Sequence, residues 1–290
     1  MYWLSKKRYI IGLTLPTIII YSVYIIIPIF IAIYYSFTKY SGIGKPVFTG
    51  LKNYQRLFAD GTFWISFRNT LIMFGVAFVL LMVVAFFGAL LLNQHLKFNG
   101  LSKALIFSPA IIAPIIVGII WVYILDPEVG ILNDILGAIG LDAYKQQWIG
   151  GKSLSPYSIA IIYFWQQLGY LITIYIAGLK MIPGDVMEAA QIDGANERQK
   201  VRYITIPLMR NTISNVAVLI ITGVFKIFEI VQQTTGGGPN HMSENLVTYS
   251  YSTTFKNGEY GYGMSIATLT FVVTLIITGI YLAFAKERRE

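Results

Sequence analysis

The stretch PGDVMEAAQIDGANERQKVRYITIP, Pro183 to Pro207, is polar, charged and rich in small residues inside a chain that is otherwise strongly apolar. Pro183 suits the start of a helix, Asp185 and Glu188 favour its positive N-terminal end, and Ala189 and Ala190 are good helix formers that add little bulk. One short helix is expected to about Ile192. Gly194 then lets the chain turn, ANERQKVRYI restarts a helical pattern, and Pro207 marks the return into an apolar run. The product is a helical elbow whose small face can enter a cleft on another protein while its charges pair with that protein's surface. An ordinary solvated loop helix fits the same residues, and both readings stand at this level.

Outward from the elbow, the 290 residues are 56% hydrophobic and 12% charged, more apolar than one soluble core requires. Helices alone can cross a bilayer without a closed barrel, and a hydrocarbon core of about 30 Å needs roughly 20 apolar residues. Six runs reach that length, near Ile10–Phe37, Arg68–Asn93, Lys103–Leu125, Tyr157–Leu179, Thr212–Gln232 and Met264–Ala285. The expected fold is therefore all-α, a polytopic membrane bundle of six transmembrane helices. The first run follows KKR, but its length, Pro16, Pro28 and the lack of an A-x-A exit favour an uncleaved span over a signal peptide. Without internal repeats or low-complexity linkers, residues 1–290 read as a single transmembrane domain.

Charge sets the orientation. Of the 22 Lys and Arg, thirteen fall on the side of both termini, among them Lys6, Lys97, Arg198, Arg202, Arg210, Arg288 and Arg289. Eight fall on the other side, over longer loops, including Lys152, and Lys226 lies within a span. Cytoplasmic loops carry the excess, so both termini and the elbow are expected inside the cell. The net charge of +8 is scattered between apolar runs, which argues against nucleic acid and for lipid as the surrounding partner. No cysteine is present, which excludes disulfides, a thiol nucleophile and cysteine-bound metal. His95 and His241 are far apart and in no metal-ligand spacing, so no metal site is expected. GGKS at residues 150–153 lacks the first glycine of a phosphate-binding loop, where Gln146 stands, and the chain is not expected to hydrolyse ATP.

The elbow also carries a pattern: Glu188-Ala189-Ala190, three residues, Gly194, nine residues, Ile204, one residue, Ile206, Pro207. This resembles the EAA loop of ABC-importer permeases, with Ile206 where leucine is usual. GLKNYQRLF and FWISFRNTL within residues 50–71, FSPAIIAPIIVGIIWVYILDPEVGILN over 107–133, and TTGGGPNHMSENLVTYSYSTTFKNGEYGYGMSIA over 234–267 are similar to the binding-protein-dependent sugar permeases related to the maltose importer. The resemblance covers nearly the whole chain. It implies the type I importer fold and a cytoplasmic coupling helix in which Glu188, Ala189, Ala190, Asp193, Gly194 and Pro207 engage an ATP-binding subunit. The implied partners are a second permease subunit forming a heterodimer, two ATP-binding subunits that bind ATP and Mg, and an extracellular solute-binding protein. The implied cargo is a sugar, an oligosaccharide by family, with no cofactor in this chain.

Polar residues inside spans cost about 2.5–3.5 kcal/mol each on insertion scales when charged, and so face a bundle interior or a water-filled route. Lys226 and Glu229 are spaced i,i+3, which places both on one helix face. They read either as an ion pair that orients the helix or as part of the solute path, with Gln232 and Gln233 extending the stripe. Tyr163, Trp165, Gln166 and Gln167 combine flat apolar faces with hydrogen-bonding tips, a mixture that suits a sugar ring. Helix-to-helix packing in an aromatic belt uses the same residue types. Gly236, Gly237, Gly238 and Pro239 read as a turn or as a contact for the solute-binding protein, and His241 as a solvated loop residue. Two rivals remain: a carrier coupled to an ion gradient through Lys226 and Glu229, and a same-fold permease for a non-sugar solute such as glycerol phosphate.

Overall fold

A backbone with no water to bond must close its own hydrogen bonds, and this chain does so almost wholly in helices. In the computed structural model, residues 7–94, 99–151 and 153–287 are described. Lys6, His95, Lys97, Lys152, Arg288 and Arg289 lie outside them. Among the described residues, four helices are long and apolar enough to cross a membrane: Ile11–Ser36, Gly61–Leu92, Ser155–Lys180 and Tyr260–Ala285. Two further segments are helix pairs bent at a break, Gly100–Ile111 with Pro114–Leu125 at 102° and Glu197–Leu208 with Arg210–Val224 at 72°.

The breaks depart from the expected spans. The run Lys103–Leu125 is interrupted at Ile112 and Ala113, because Pro114 drives the residue before it out of the helical region, and Ala113 sits at φ −57°, ψ 135°. The run Thr212–Gln232 is also divided. Its first helix ends at Val224 and a second, Glu229–Thr234, begins after four non-helical residues.

The chain divides into two compact units, Met1–Asp60 with Tyr249–Phe271, and Gly61–Thr248 with Val272–Glu290. In the larger unit the principal helix pair is Gly61–Leu92 against Ser155–Lys180. Met73, Ala77, Leu81, Ala85 and Ala89 form a ridge at four-residue spacing, each 0–1% exposed. Val79, Val83, Phe87 and Leu91, equally apolar, form the outward ridge of the same helix. Alanine marks the packed face, with three of its five ridge residues and none of the outward four: in lipid there is little hydrophobic drive between helices, and small residues allow close approach. Phe86 meets Tyr175 edge-on at 5.6 Å, and Gly88 leaves room for Ile172.

In the smaller unit, the Ile11–Ser36 helix is apolar and exposed over most of its length, becoming half-buried towards Ser36, a surface suited to cover by lipid or another chain. A short antiparallel pair follows, with Thr38 opposite Phe48 and Lys39 opposite Val47. Gly42 turns between them at φ +89°, where a side chain would strike the Tyr260 ring. The Lys52–Ala59 helix is tied back through Asn53, whose Nδ2 donates to Ser36 O and Thr38 O at 2.8 Å each.

Candidate functional site

The elbow is a helix over Gly184–Ile192, started after Pro183. Its end is a Schellman turn: Ala195 N donates to Ala190 O at 2.9 Å, Gly194 N donates to Gln191 O at 3.1 Å, and Gly194 takes φ +78°. Asn196 then opens the next turn with a capping box, accepting from Gln199 N at 2.9 Å while its own N–H donates to Gln199 Oε1 at 2.8 Å. The bend between the two helical pieces of the elbow is thus fixed on both sides by local hydrogen bonds. Glu188, Ala189, Asp193, Gly194 and Pro207 are exposed, whereas Ala190 is 8% exposed and turned into the chain itself. Met181, just past the Ser155–Lys180 helix, and Ile192, the last residue of the elbow helix, stand 81% and 86% exposed. That apolar exposure was not singled out in the sequence.

Within the larger unit, a cavity of about 310 Å³ is lined by Tyr163, Gln167, Tyr170, Thr222, Gly223, Lys226 and three aliphatic side chains. Its volume is at the lower end of ordinary ligand pockets. Among the described residues it offers phenol hydroxyls, an amide and one ammonium, and no carboxylate lines it. Gly223 keeps it open, since a Cβ there would collide with the Tyr163 hydroxyl. Of the eight residues picked out for a solute path, the cavity collects Tyr163, Gln167 and Lys226.

The others have different surroundings. Trp165 packs edge-on against Trp121 at 5.5 Å. Gln166, 2% exposed, donates through Nε2 to Ile112 O at 3.0 Å, satisfying a carbonyl that the break before Pro114 sets free. The shared helix face expected for Lys226 and Glu229 is corrected: Lys226 lies in the break after Val224, Glu229 opens the next helix, and both are exposed. Among the described residues no ion pair joins them. The physical reason is that the four residues Phe225 to Phe228, Lys226 among them, are non-helical, so i,i+3 no longer means one face. Gln232 is half-buried, and Gln233 presses its Cβ towards Gly118, so the polar stripe does not continue as a line.

The loop 235–248 is ordered by buried polar groups. Asn69, 0% exposed, donates through Nδ2 to Met242 O at 2.8 Å and Glu244 O at 2.9 Å. Thr70 Oγ1 accepts from Leu246 N at 3.0 Å, and Asn245 Nδ2 donates to Ile227 O at 2.6 Å in the second break. Gly236 and Gly237 take φ +59° and +88°, the Gly238–Pro239 bond is cis, and a side chain at Gly237 would strike Glu244. His241 is not simply solvated, since its Nδ1 lies 2.7 Å from Glu244 Oε2. Asp126, on a neighbouring turn, accepts from Val129 N and Glu128 N, and these bonds hold its carboxyl below the usual range.

Residues 50–60 carry a further cluster that sequence reasoning missed. Arg56 pairs with Glu259 at 2.7 Å and lies 4.1 Å over the Tyr262 ring. Asp60 Oδ2 accepts from the hydroxyls of Tyr262, at 2.5 Å, and Tyr249. The only advance signal was the density of polar and aromatic residues in GLKNYQRLF.

Apolar helices with paired breaks, a polar cavity between them and a rigid water-facing elbow define a polytopic membrane permease. The profile of the family described as "Binding-protein-dependent transport system inner membrane component" matches residues 86–290. This chain belongs to that family and is a multi-pass transport subunit of the inner membrane. It is 31% identical to the probable ABC transporter permease protein YurN of Bacillus subtilis, covering 99% of both chains. It is 30% identical to the probable starch degradation products transport system permease protein AmyD of Thermoanaerobacterium thermosulfurigenes, over 94% of this chain and 92% of that one. In fold it is similar to a bacterial ABC transporter involved in the import of the acidic polysaccharide alginate, with a TM-score of 0.82 at 21% identity over 98% and 97% of the two chains.

Proposed function

We propose that this chain is one of two permease subunits of an ATP-driven ABC importer that moves a sugar, in particular an oligosaccharide, by alternating access. Residues 1–290 act as one transmembrane permease domain with both termini and the elbow in the cytoplasm. Two ATP-binding subunits hold ATP and Mg, and an extracellular solute-binding protein delivers the cargo. The relative that serves starch degradation products supports a saccharide. A cavity combining Tyr163, Tyr170, Gln167 and Lys226 supports the same class, since aromatic faces suit sugar C–H groups and the polar tips suit hydroxyls.

The observation that carries the coupling role is the elbow: a short helix closed by a Schellman turn and followed at once by a capping box, which exposes Ala189 and Ile192 to water. An exposed isoleucine on a rigid polar elbow fits a cleft on another protein. When the ATP-binding subunits close on nucleotide, the elbow transmits the movement to the helices on either side. Nucleotide thus shifts a two-state equilibrium through contacts that differ between the states.

The test follows from the exposures. Burying an isoleucine is worth about 1.5–3 kcal/mol, so Ile192→Ala weakens association with the ATP-binding subunits roughly ten- to hundredfold, and Ile192→Glu with Glu188→Lys abolishes it. Co-purification and sugar uptake are read in parallel with membrane insertion, which stays normal. Normal uptake and normal co-purification in the double variant refute the coupling role. Ala190→Asp is the less direct probe, because that side chain faces inward and the substitution unsettles the elbow itself.

A further inference from the structure

A second cavity, of about 410 Å³, lies in the larger unit and takes no part in the reading above. Its apolar walls include Leu92, Phe107, Ile172 and Ile176, and Lys103 and Lys180 also line it. The ends of the elements explain its form. Leu92 and Lys180 are the last residues of their helices, and Lys103 lies near the start of Asn99–Ile111. At Gly169 the Ser155–Lys180 and Asn99–Ile111 helices touch, for a Cβ there would collide with Ile106 O. From that contact the groove follows about three turns of helix, some 16 Å at 1.5 Å per residue, to Lys180.

Charge and apolarity are thus segregated along the groove. Among the described residues neither Lys103 nor Lys180 has an ion pair, and no carboxylate lines the cavity. Two like charges sharing one space at the edge of an apolar bundle need a counter-charge. A free inorganic ion would leave the half-buried Phe107 and Ile176 without further cover. A molecule with an anionic head and a hydrocarbon tail satisfies both parts. The position is right for the membrane surface, since Lys180 stands three residues before Pro183, where the chain leaves the apolar helix for the elbow.

We infer that this groove binds an anionic phospholipid from the leaflet on the elbow's side, with its phosphate between Lys103 and Lys180 and an acyl chain along Phe107 and Ile176. Such a lipid braces the helix end from which the elbow departs. Basic pockets between spans near the membrane surface select acidic headgroups in this way.

Native mass spectrometry of the assembled transporter, titrated with phosphatidylglycerol or phosphatidylcholine, tests the inference without requiring sugar or ATP turnover. Its outcome is therefore separate from that of the coupling proposal. Two lysines at a membrane surface predict about a thirtyfold preference for phosphatidylglycerol. Lys103→Gln with Lys180→Gln brings the preference close to one, Lys103→Arg with Lys180→Arg keeps it, and Ile176→Trp weakens retention of both lipids. Equal retention of the two lipids by the unaltered chain, or an unchanged preference in the double Gln variant, overturns the inference. Displacement of phosphatidylglycerol by inorganic phosphate alone also overturns it by making the groove an ion site. A photo-reactive group at position 176 that captures protein instead of lipid does so by assigning the groove to a subunit contact.

Discussion

Asn69→Ala and Asn69→Asp probe how the loop 235–248 is held. The Asn69 amide is fully buried and donates to Met242 O at 2.8 Å and Glu244 O at 2.9 Å. Replacing it with alanine removes both bonds and leaves two carbonyls to find other partners. A net hydrogen bond is worth about 1 kcal/mol, and a stranded buried acceptor costs about 1–3 kcal/mol. Two stranded carbonyls set an upper figure of about 6 kcal/mol, and about 2–4 kcal/mol is expected once water or local relaxation satisfies part of the loss. Aspartate is nearly the same size but cannot donate when ionised, and it sets a carboxylate against two carbonyl oxygens, so it must be worse than alanine. The assay is hydrogen exchange of peptides covering 235–248 in the assembled transporter. At 1.4 kcal/mol per factor of ten, exchange through local opening accelerates by one to three orders of magnitude for alanine and by more for aspartate. The Ser155–Lys180 helix, far from this loop in the hydrogen-bond network, keeps its protection. Unchanged exchange of the loop in both variants, or aspartate behaving like asparagine, refutes the assignment of Asn69 as its anchor.

Gln166→Leu removes the donor to Ile112 O while preserving bulk, so it strands the carbonyl at the first break; the expected cost is about 1–3 kcal/mol, read as a lower midpoint of thermal unfolding, and Gln166→Glu should be at least as damaging. Asp126 gives a pH dependence of known sign. Its carboxyl is held below the usual Asp value of about 3.9 by the amides of Val129 and Glu128, so its contribution is full above that value and lost as pH falls through the lower folded-state value. Amide exchange at Glu128 and Val129, corrected for intrinsic rates, should rise only in that acid window, and Asp126→Asn should abolish the pH dependence.

The apolar runs and the elbow were legible in the sequence because their causes are local. A helix crossing lipid needs length and apolarity, both of which can be counted, and Gly194 at φ +78° with Asn196 and Gln199 closing a capping box uses residues within a few positions of one another. The faces of the Gly61–Leu92 helix were less legible. Its buried ridge of Met73, Ala77, Leu81, Ala85 and Ala89 and its outward ridge of Val79, Val83, Phe87 and Leu91 are all apolar, so hydrophobicity carries no phase, and the three alanines mark it only in part.

What the tertiary structure alone decided is where the helices break and what the polar residues then do. A backbone can leave the helix inside an apolar bundle only if something distant bonds the carbonyl it frees. Gln166 does so for Ile112 from 54 residues away, and Asn245 does so for Ile227 from 18 residues away. Read along the chain, Gln166 sits among residues suited to a sugar, and Lys226 and Glu229 read as partners on one helix face. In the folded chain Gln166 serves the backbone, and the break parts Lys226 from Glu229 and leaves Lys226 lining the cavity. Local spacing predicts contact only while the helix continues, and continuation is settled by hydrogen-bond partners that only the assembled fold brings into reach.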